Sequence, residues 1–334
     1  MTVSFGLLGA GRIGKVHARA VGGDPQARLV AVADALPAAA AALAGAHGCE
    51  VGSIDTILAD PAIDAIIICT PTDTHADLIE AGVRAGKAVF CEKPIDLSVA
   101  RVRACLDVVA AHKGALMVGF NRRFDPDFMA LHAAIATGRI GRVEMVTIAS
   151  RDPGAPPLDY IARSGGIFRD MTIHDFDMAR WLLGEEIDTV QAAASVLTDP
   201  AIGIAGDYDS VNVILRTATG KQAIITNSRR AAYGYDQRIE VLGATGAVSA
   251  LNTAEANIEI ADSNGFHRPP LLNFFMTRYV AAYANEIAAF IAAVQNRTPM
   301  PTTGADGLAA LVLADAALTS VAQSRVVAVA EISG

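Results

Sequence analysis

Short apolar runs and polar or alanine-rich stretches alternate along the first 119 residues, and this alternation predicts a parallel α/β sheet with crossover helices. The β-rich runs are residues 3–8, 29–33, 65–69, 88–91 and 115–119, with a short strand near 50–51. The 65–69 run, Ala-Ile-Ile-Ile-Cys, is apolar without interruption, which marks a strand buried on both faces. Segments 36–45, 54–59, the stretch up to 85, and 97–112 read as the helices between them. After Gly119 the alternation stops. Six further β-like runs follow (143–150, 189–196, 210–216, 221–229, 237–242 and 247–251), with turn glycines at Gly220 and Gly246. One helix, 165–180, interrupts them, and helices at 275–295 and 304–323 precede a last strand at 326–329. Strands grouped in this way predict an α+β domain on a large, mostly antiparallel open sheet.

At 334 residues the chain is long for one core, so two domains are expected: 1–121, Rossmann-like, and 122–334, α+β, with the C-terminal helices free to pack back on the first. With 52% hydrophobic and 19% charged residues the composition is that of a soluble globular protein. The formal charge of −8 and the lack of a basic cluster argue against a nucleic-acid partner. Cys49, Cys69, Cys91 and Cys105 are scattered with no Cys-x-x-Cys, which disfavours a structural metal and fits a reducing cytoplasm. No signal peptide or run of about 20 apolar residues stands out, so no membrane association is expected. A large open sheet needs cover on both faces, and a second copy of the chain is the expected cover, making the protein a homo-oligomer.

Within this pattern the first strand opens into Gly9-Ala10-Gly11-Arg12-Ile13-Gly14, followed by a helix. Glycines there permit a tight turn and close approach of a pyrophosphate to the helix N-terminus. The motif alone is weak, but the second strand ends at Asp34, twenty residues beyond Gly14. An acid so placed accepts hydrogen bonds from the adenosine ribose and repels a 2′-phosphate, which favours NAD over NADP. The loop after 65–69 holds Thr70, Pro71 and His75, and the strand at 88–91 ends in Glu92-Lys93-Pro94. Both lie at carboxyl ends of the sheet, where the cofactor crevice forms. His75 could equally cap the next helix.

The 165–180 stretch carries Asp170, His174 and Asp177 at i, i+4 and i+7, one face if it is helical. An ordinary solvated helix face reads the same way. The nicotinamide crevice, which lacks a base, shifts the balance. Removing a hydride from a secondary alcohol also requires its hydroxyl proton to leave, and a histidine suits that task. On this reasoning His174 takes the proton, Asp170 orients the imidazole, and Lys93 stabilises the developing oxyanion without a metal.

Gly9–Gly14, Asp34, Thr70-Pro71 with His75, Glu92-Lys93-Pro94, the crossover at 119–123 and the Asp170…His174 helix together resemble the glucose-fructose oxidoreductase / inositol dehydrogenase (Gfo/Idh/MocA) family. Gly-Phe-Asn-Arg-Arg-Phe-Asp, the 164–177 segment and Tyr-Gly-Tyr-Asp-Gln-Arg are similar to segments of inositol 2-dehydrogenases within it. The resemblance implies NAD-dependent oxidation of a cyclitol hydroxyl to a ketone, most closely myo-inositol at its axial hydroxyl, often by a cytoplasmic homotetramer. It implies a catalytic set of Lys93, Asp170 and His174. It also implies substrate contacts at Arg122, Asp152, Asp177 and Tyr235. A polyol has several hydroxyls to satisfy, and Arg123, Arg151, Tyr160 and Tyr233 are credible substitutes for that task. Glycines 9, 11 and 14, Arg12, Ile13, Asp34, Thr70, Pro71, His75, Glu92 and Lys93 are the expected cofactor residues. Another inositol isomer or an aldose as substrate, an NAD-dependent glycoside hydrolase and a non-enzymatic NAD-responsive binding protein stay open as alternatives. Asp175 has no assigned role.

Overall fold

The computed structural model describes residues 2–333, in two compact units. Met1–Asp125 with Val280–Leu311 forms the first, and Pro126–Tyr279 with Val312–Gly334 the second.

The first unit holds a six-stranded sheet of β1 (Val3–Leu8), β2 (Ala27–Ala33), β3 (Glu50–Val51), β4 (Ala65–Ile68), β5 (Ala88–Glu92) and β6 (Leu116–Gly119). Their order is β3-β2-β1-β4-β5-β6 and every pair is parallel. The chain adds strands to one side of β1 and then crosses to the other, so the switch point lies between β1 and β4. All four residues of β4 are buried, as its unbroken apolar sequence requires. Helices α1 (Arg12–Gly23), α2 (Pro37–His47), α3 (Ile54–Ala59), α4 (His75–Arg84) and α5 (Val99–Ala111) make the crossovers. Pro37 opens α2 at its first turn and Gly48, at φ 65°, closes it in the left-handed region.

The division between units differs from the one expected at 121/122. The 3-10 turn Asn121–Phe124 stays with the first unit, where Phe124 joins the core and its carbonyl accepts from Asn285 Nδ2 at 3.0 Å. The helix Val280–Asn296 also belongs to the first unit, because Ile287, Phe290 and Ile291 are buried with Phe5, Leu7, Ile67 and Phe90. The Phe90 and Phe290 rings meet edge to face at 5.8 Å.

The second unit is built on β7 (Val143–Arg151), β8 (Ile187–Ser195), β9 (Ser210–Thr217), β10 (Gln222–Ser228), β11 (Asp236–Gly243) and β12 (Gly246–Ala250). The order is β12-β11-β7-β10-β9-β8, extended beyond β8 by Val327–Ala328. Only the β7–β10 pair is parallel. In β9, Val211, Val213 and Leu215 are buried while Asn212, Ile214 and Arg216 are exposed, so one face is packed and the other open.

Four helices in this unit were not expected: α6 (Pro126–Ala136), α7 (Leu158–Ser164), the short α9 (Pro200–Ile204) that comes after α8 (Ile173–Leu183), and a single turn at Ala330–Ser333. The exposed hairpin of Ile260–Asp262 and Gly265–His267 was not expected either. The single helix expected over 165–180 is broken. Gly165 and Gly166, at φ 82° and 79°, end α7, and Phe168–Thr172 forms one π-helical turn before α8 starts. The Thr172 hydroxyl oxygen lies 3.3 Å from the Ile167 carbonyl oxygen five residues back. A Cβ at residue 166 would sit 2.6 Å from Asp207 Oδ1, the atom that accepts the Ile167 N–H at 3.0 Å. Gly166 is therefore required by both its backbone angle and its neighbour.

One expectation about apolar length also needs correction. The helix Gly304–Gln323 is long and apolar enough, by length and composition, to cross a membrane, although half of its most apolar stretch is buried within the protein. Ala310, Leu311, Leu313, Ala314 and Ala317 are among its buried residues.

Candidate active site

In the first unit the glycine motif brings three elements closer than side chains allow. A Cβ on Gly9, at φ 101°, would lie 2.5 Å from the Cys69 carbonyl oxygen, and one on Gly14 would lie 1.9 Å from the Gly9 oxygen. Gly11 is different: no atom lies within 4 Å of where its Cβ would be. The N-cap of α1 is Gly11, which has no side chain to cap it, so the first N–H groups and the positive dipole end of the helix face this open space. Arg12 is exposed and Ile13 half-buried just beyond it. Asp34 reaches over the loop, accepting from the Ala10 N–H at 2.6 Å and the Leu36 N–H at 2.7 Å. A carboxylate has about four lone-pair sites, which leaves capacity for ribose hydroxyls. An open cradle over a helix N-terminus, with an acid held at its rim, fits a dinucleotide.

Thr70 and Pro71 lie just beyond β4, and the Thr70 and Thr74 hydroxyls are hydrogen-bonded at 2.6 Å. His75 starts α4. It is only 2% exposed, with Nδ1 2.8 Å from the Pro94 oxygen and Nε2 2.8 Å from the Thr70 oxygen. Both ring nitrogens face backbone oxygens, so the residue joins two loops. Glu92, also expected at the cofactor, directs Oε1 to the buried His17 Nε2 at 2.6 Å. Lys93 follows directly on the last residue of β5 and is half-buried. His17 escaped the sequence reading; its only trace there is a polar residue on the buried face of α1.

In the second unit Asp170 sits in the π turn and His174 in the first turn of α8, both half-buried. The Tyr160 hydroxyl, on α7, donates to Asp170 Oδ1 at 2.9 Å. Asp177, on α8 three residues after His174, is 1% exposed. Asp175 is fully buried and takes hydrogen bonds from the Ser150 hydroxyl at 2.7 Å and Asn227 Nδ2 at 2.8 Å. The Thr172 hydroxyl donates to Asn227 Oδ1 at 2.7 Å, so β7, β10 and the start of α8 are tied through one carboxylate. This gives Asp175 a structural role.

The expected substrate residues are distributed over both units. Arg122 lies in the 3-10 turn of the first and is buried. Asp152, just past β7, is half-buried, and its N–H donates to the Ser228 oxygen at 2.9 Å. Tyr235 is buried with its ring edge-on to Tyr279 at 5.9 Å and Phe274 at 6.5 Å. Three of the substitutes are engaged in local structure. Arg123 pairs with Asp306 at 3.0 Å. The Tyr233 hydroxyl donates to Asp236 at 2.6 Å and accepts from Arg151 at 2.8 Å. Burial alone raises the Asp236 carboxyl, but Arg238, Tyr233 and Asn252 outweigh it and hold the carboxyl below the usual range. Burial pushes the Cys69 and Cys91 thiols well up and Cys105 to about 12, which makes them poor nucleophiles.

A doubly wound parallel sheet with this glycine loop and acid defines the first unit as an NAD-binding domain of an oxidoreductase. Residues 3–120 match the oxidoreductase family with NAD-binding Rossmann fold, and 128–249 match the GFO/IDH/MocA C-terminal domain. The chain is 70% identical over 330 residues to an inositol 2-dehydrogenase of Rhizobium meliloti, covering 99% of this chain and 100% of that one. A myo-inositol dehydrogenase structure from Corynebacterium glutamicum is 42% identical with a TM-score of 0.95, over 98% of this chain and 99% of that one. A scyllo-inositol dehydrogenase from Lactobacillus casei, solved with NAD(H) and scyllo-inositol bound, is 30% identical with a TM-score of 0.92, over 99% and 100%. The chain belongs to the GFO/IDH/MocA family of NAD-binding oxidoreductases.

Proposed function

We propose that the protein oxidises a secondary hydroxyl of a cyclitol to the ketone, acting on myo-inositol at its axial hydroxyl and yielding 2-keto-myo-inositol. The 70% full-length identity to a protein named inositol 2-dehydrogenase carries this reading. The cradle of Gly9, Gly11 and Gly14 with Asp34 would hold NAD, whose nicotinamide would serve as the hydride acceptor. His174 removes the hydroxyl proton as the C–H bond breaks, which gives the oxygen the alkoxide character that hydride loss needs. Asp170, held by Tyr160, orients the imidazole and favours the imidazolium as it forms. Lys93 stabilises the charge that develops on oxygen, a contribution of roughly 2.7–4 kcal/mol in comparable sites. Arg122, Asp152, Asp177 and Tyr235 pair with the remaining hydroxyls, because a buried donor or acceptor left unpaired costs about 1–3 kcal/mol.

The same reading makes the protein a cytoplasmic enzyme of inositol catabolism that assembles as a homotetramer. Met145, Ile214 and Leu242 stand 38%, 46% and 42% exposed on strands of the second unit's sheet, and a second copy would cover them. A panel of myo-inositol, scyllo-inositol, chiro-inositol, glucose and xylose with NAD or NADP tests the activity through the absorbance of the reduced cofactor. Reduction with myo-inositol and NAD is expected, and reduction with no polyol sinks the reading. His174→Ala should lower turnover about 10²–10⁴-fold while NADH still binds. Unchanged turnover would remove His174 as the base.

A further inference from the structure

We infer that His17 and His75 are positioning residues that grip the two neighbours of Lys93 in sequence and fix Lys93 relative to the dinucleotide loops. The inference rests on the role proposed for Lys93 and adds the means by which its backbone is held.

Residues 92 and 94 flank Lys93, and each is held by a buried imidazole. His17 lies on α1, the helix that follows the glycine loop, and is fully buried. Its ring is edge-on to Phe90 at 4.9 Å and to Tyr283 at 5.5 Å, which blocks its rotation. Nε2 stands 2.6 Å from Glu92 Oε1, while Nδ1 has no hydrogen-bond partner among the described residues. The tautomer that suits these surroundings therefore carries its hydrogen on Nε2 and donates it to the carboxylate. Gly119 on the adjacent strand makes room for that carboxylate, since a Cβ there would come within 3.2 Å of Glu92 Cδ.

On the other side, His75 at the start of α4 connects the Pro94 oxygen to the Thr70 oxygen, both at 2.8 Å. A carbonyl oxygen only accepts, so each bond needs a hydrogen on the facing nitrogen. The doubly protonated ring supplies both and the neutral ring one. Through these contacts the segment Glu92-Lys93-Pro94 is tied to α1 and to the Thr70 loop, the two elements that border the cofactor cradle. A misplacement of about 1 Å at a reacting group can cost 10²-fold in rate, so such a brace acts on turnover and not only on folding.

The test compares His17→Leu, His17→Gln, His75→Leu and Lys93→Met with the unaltered enzyme. Turnover and KM with myo-inositol, NADH affinity by fluorescence, and the deuterium isotope effect with C2-deuterated myo-inositol are read for each. Both leucine variants should lose about tenfold or more in kcat, keep NADH affinity within about threefold, and show a larger isotope effect as hydride transfer becomes limiting. His17→Gln, which restores a donor to Glu92, should recover much of the loss. A fall in kcat at constant isotope effect indicates only a smaller active fraction and overturns the inference, as does unchanged kcat. If Lys93→Met is inactive while the histidine variants are normal, the brace alone fails; if Lys93→Met is fully active, the role of Lys93 fails with it. Should the leucine variants not fold, ¹⁵N-histidine spectra of the unaltered protein decide. Ring N–H signals of His17 and His75 that exchange far more slowly than those of exposed His112 and His267 support the grips. Equally fast exchange overturns them.

Discussion

The Ser150 hydroxyl on β7 donates to the Asp175 carboxylate on α8 at 2.7 Å, with both residues buried. Asn227 on β10 supplies the second bond, so the helix that carries His174 is fastened to the sheet at one carboxylate. Replacing Asp175 by Ala strips an acceptor from both partners, at about 1–3 kcal/mol each. Thermal unfolding followed by circular dichroism should show Asp175→Ala melting several degrees below the unaltered protein, with Asp175→Asn intermediate. An unchanged midpoint would contradict the structural role.

Gly11 and Gly14 should separate cofactor binding from folding. Gly11→Val places its side chain in open space, so the protein should fold normally and lose NADH affinity. Gly14→Ala puts a Cβ 1.9 Å from the Gly9 oxygen and should lower both stability and affinity. Fluorescence titration with NADH beside a melting curve reads the two effects; full affinity in folded Gly11→Val would move the pyrophosphate elsewhere.

Asp34 sets the cofactor preference by excluding a 2′-phosphate. Asp34→Asn keeps an acceptor for the Ala10 N–H, now 2.6 Å from Oδ2, but removes the charge. The ratio of kcat/KM for NAD over NADP should fall about tenfold or more, equivalent to ~1.4 kcal/mol. A ratio that stays constant would show that another residue discriminates.

Much of the first unit was legible because its determinants are local. Glycines 9, 11 and 14 and Asp34 stand at fixed spacings, and the unbroken apolar run of β4 can only be a doubly buried strand. The break at Phe168–Thr172 was not legible, since a π turn shifts hydrogen bonding by one residue and leaves the hydrophobic pattern almost intact. The domain to which Val280–Leu311 belongs is decided by where Phe290 is buried, a long-range packing fact with no sequence signature. His75 was visible as a residue near the crevice, but the two carbonyl oxygens that occupy its ring nitrogens come from positions 70 and 94 and meet only in the fold. Asp170 and His174 were picked out as chemistry, whereas Asp175, directly after His174, required the Ser150 and Asn227 contacts to be recognised as structural.

Asp209 gives the stability a defined acid limb. Burial pushes its carboxyl up, but the Leu197 and Thr198 N–H groups and the Thr198 and Ser210 hydroxyls prevail and hold it at about 2. An unfolded aspartate titrates near ~3.9, so the folded state binds fewer protons between these values. The stabilisation is complete above about pH 4 and is lost as pH falls towards about 2. Melting temperatures of the unaltered protein and Asp209→Asn should differ at pH 5 and converge at low pH, provided the fold persists there. A gap independent of pH would contradict the assignment.

The most direct measurement follows one atom. Myo-inositol deuterated at C2 is incubated with the purified protein and NAD, and the reduced cofactor is analysed by mass spectrometry and proton NMR. Direct hydride transfer predicts one deuterium in each NADH formed, at the nicotinamide C4, together with an equal amount of 2-keto-myo-inositol. NADH without the label, or no net NADH with any inositol, would contradict oxidation at that carbon by this protein.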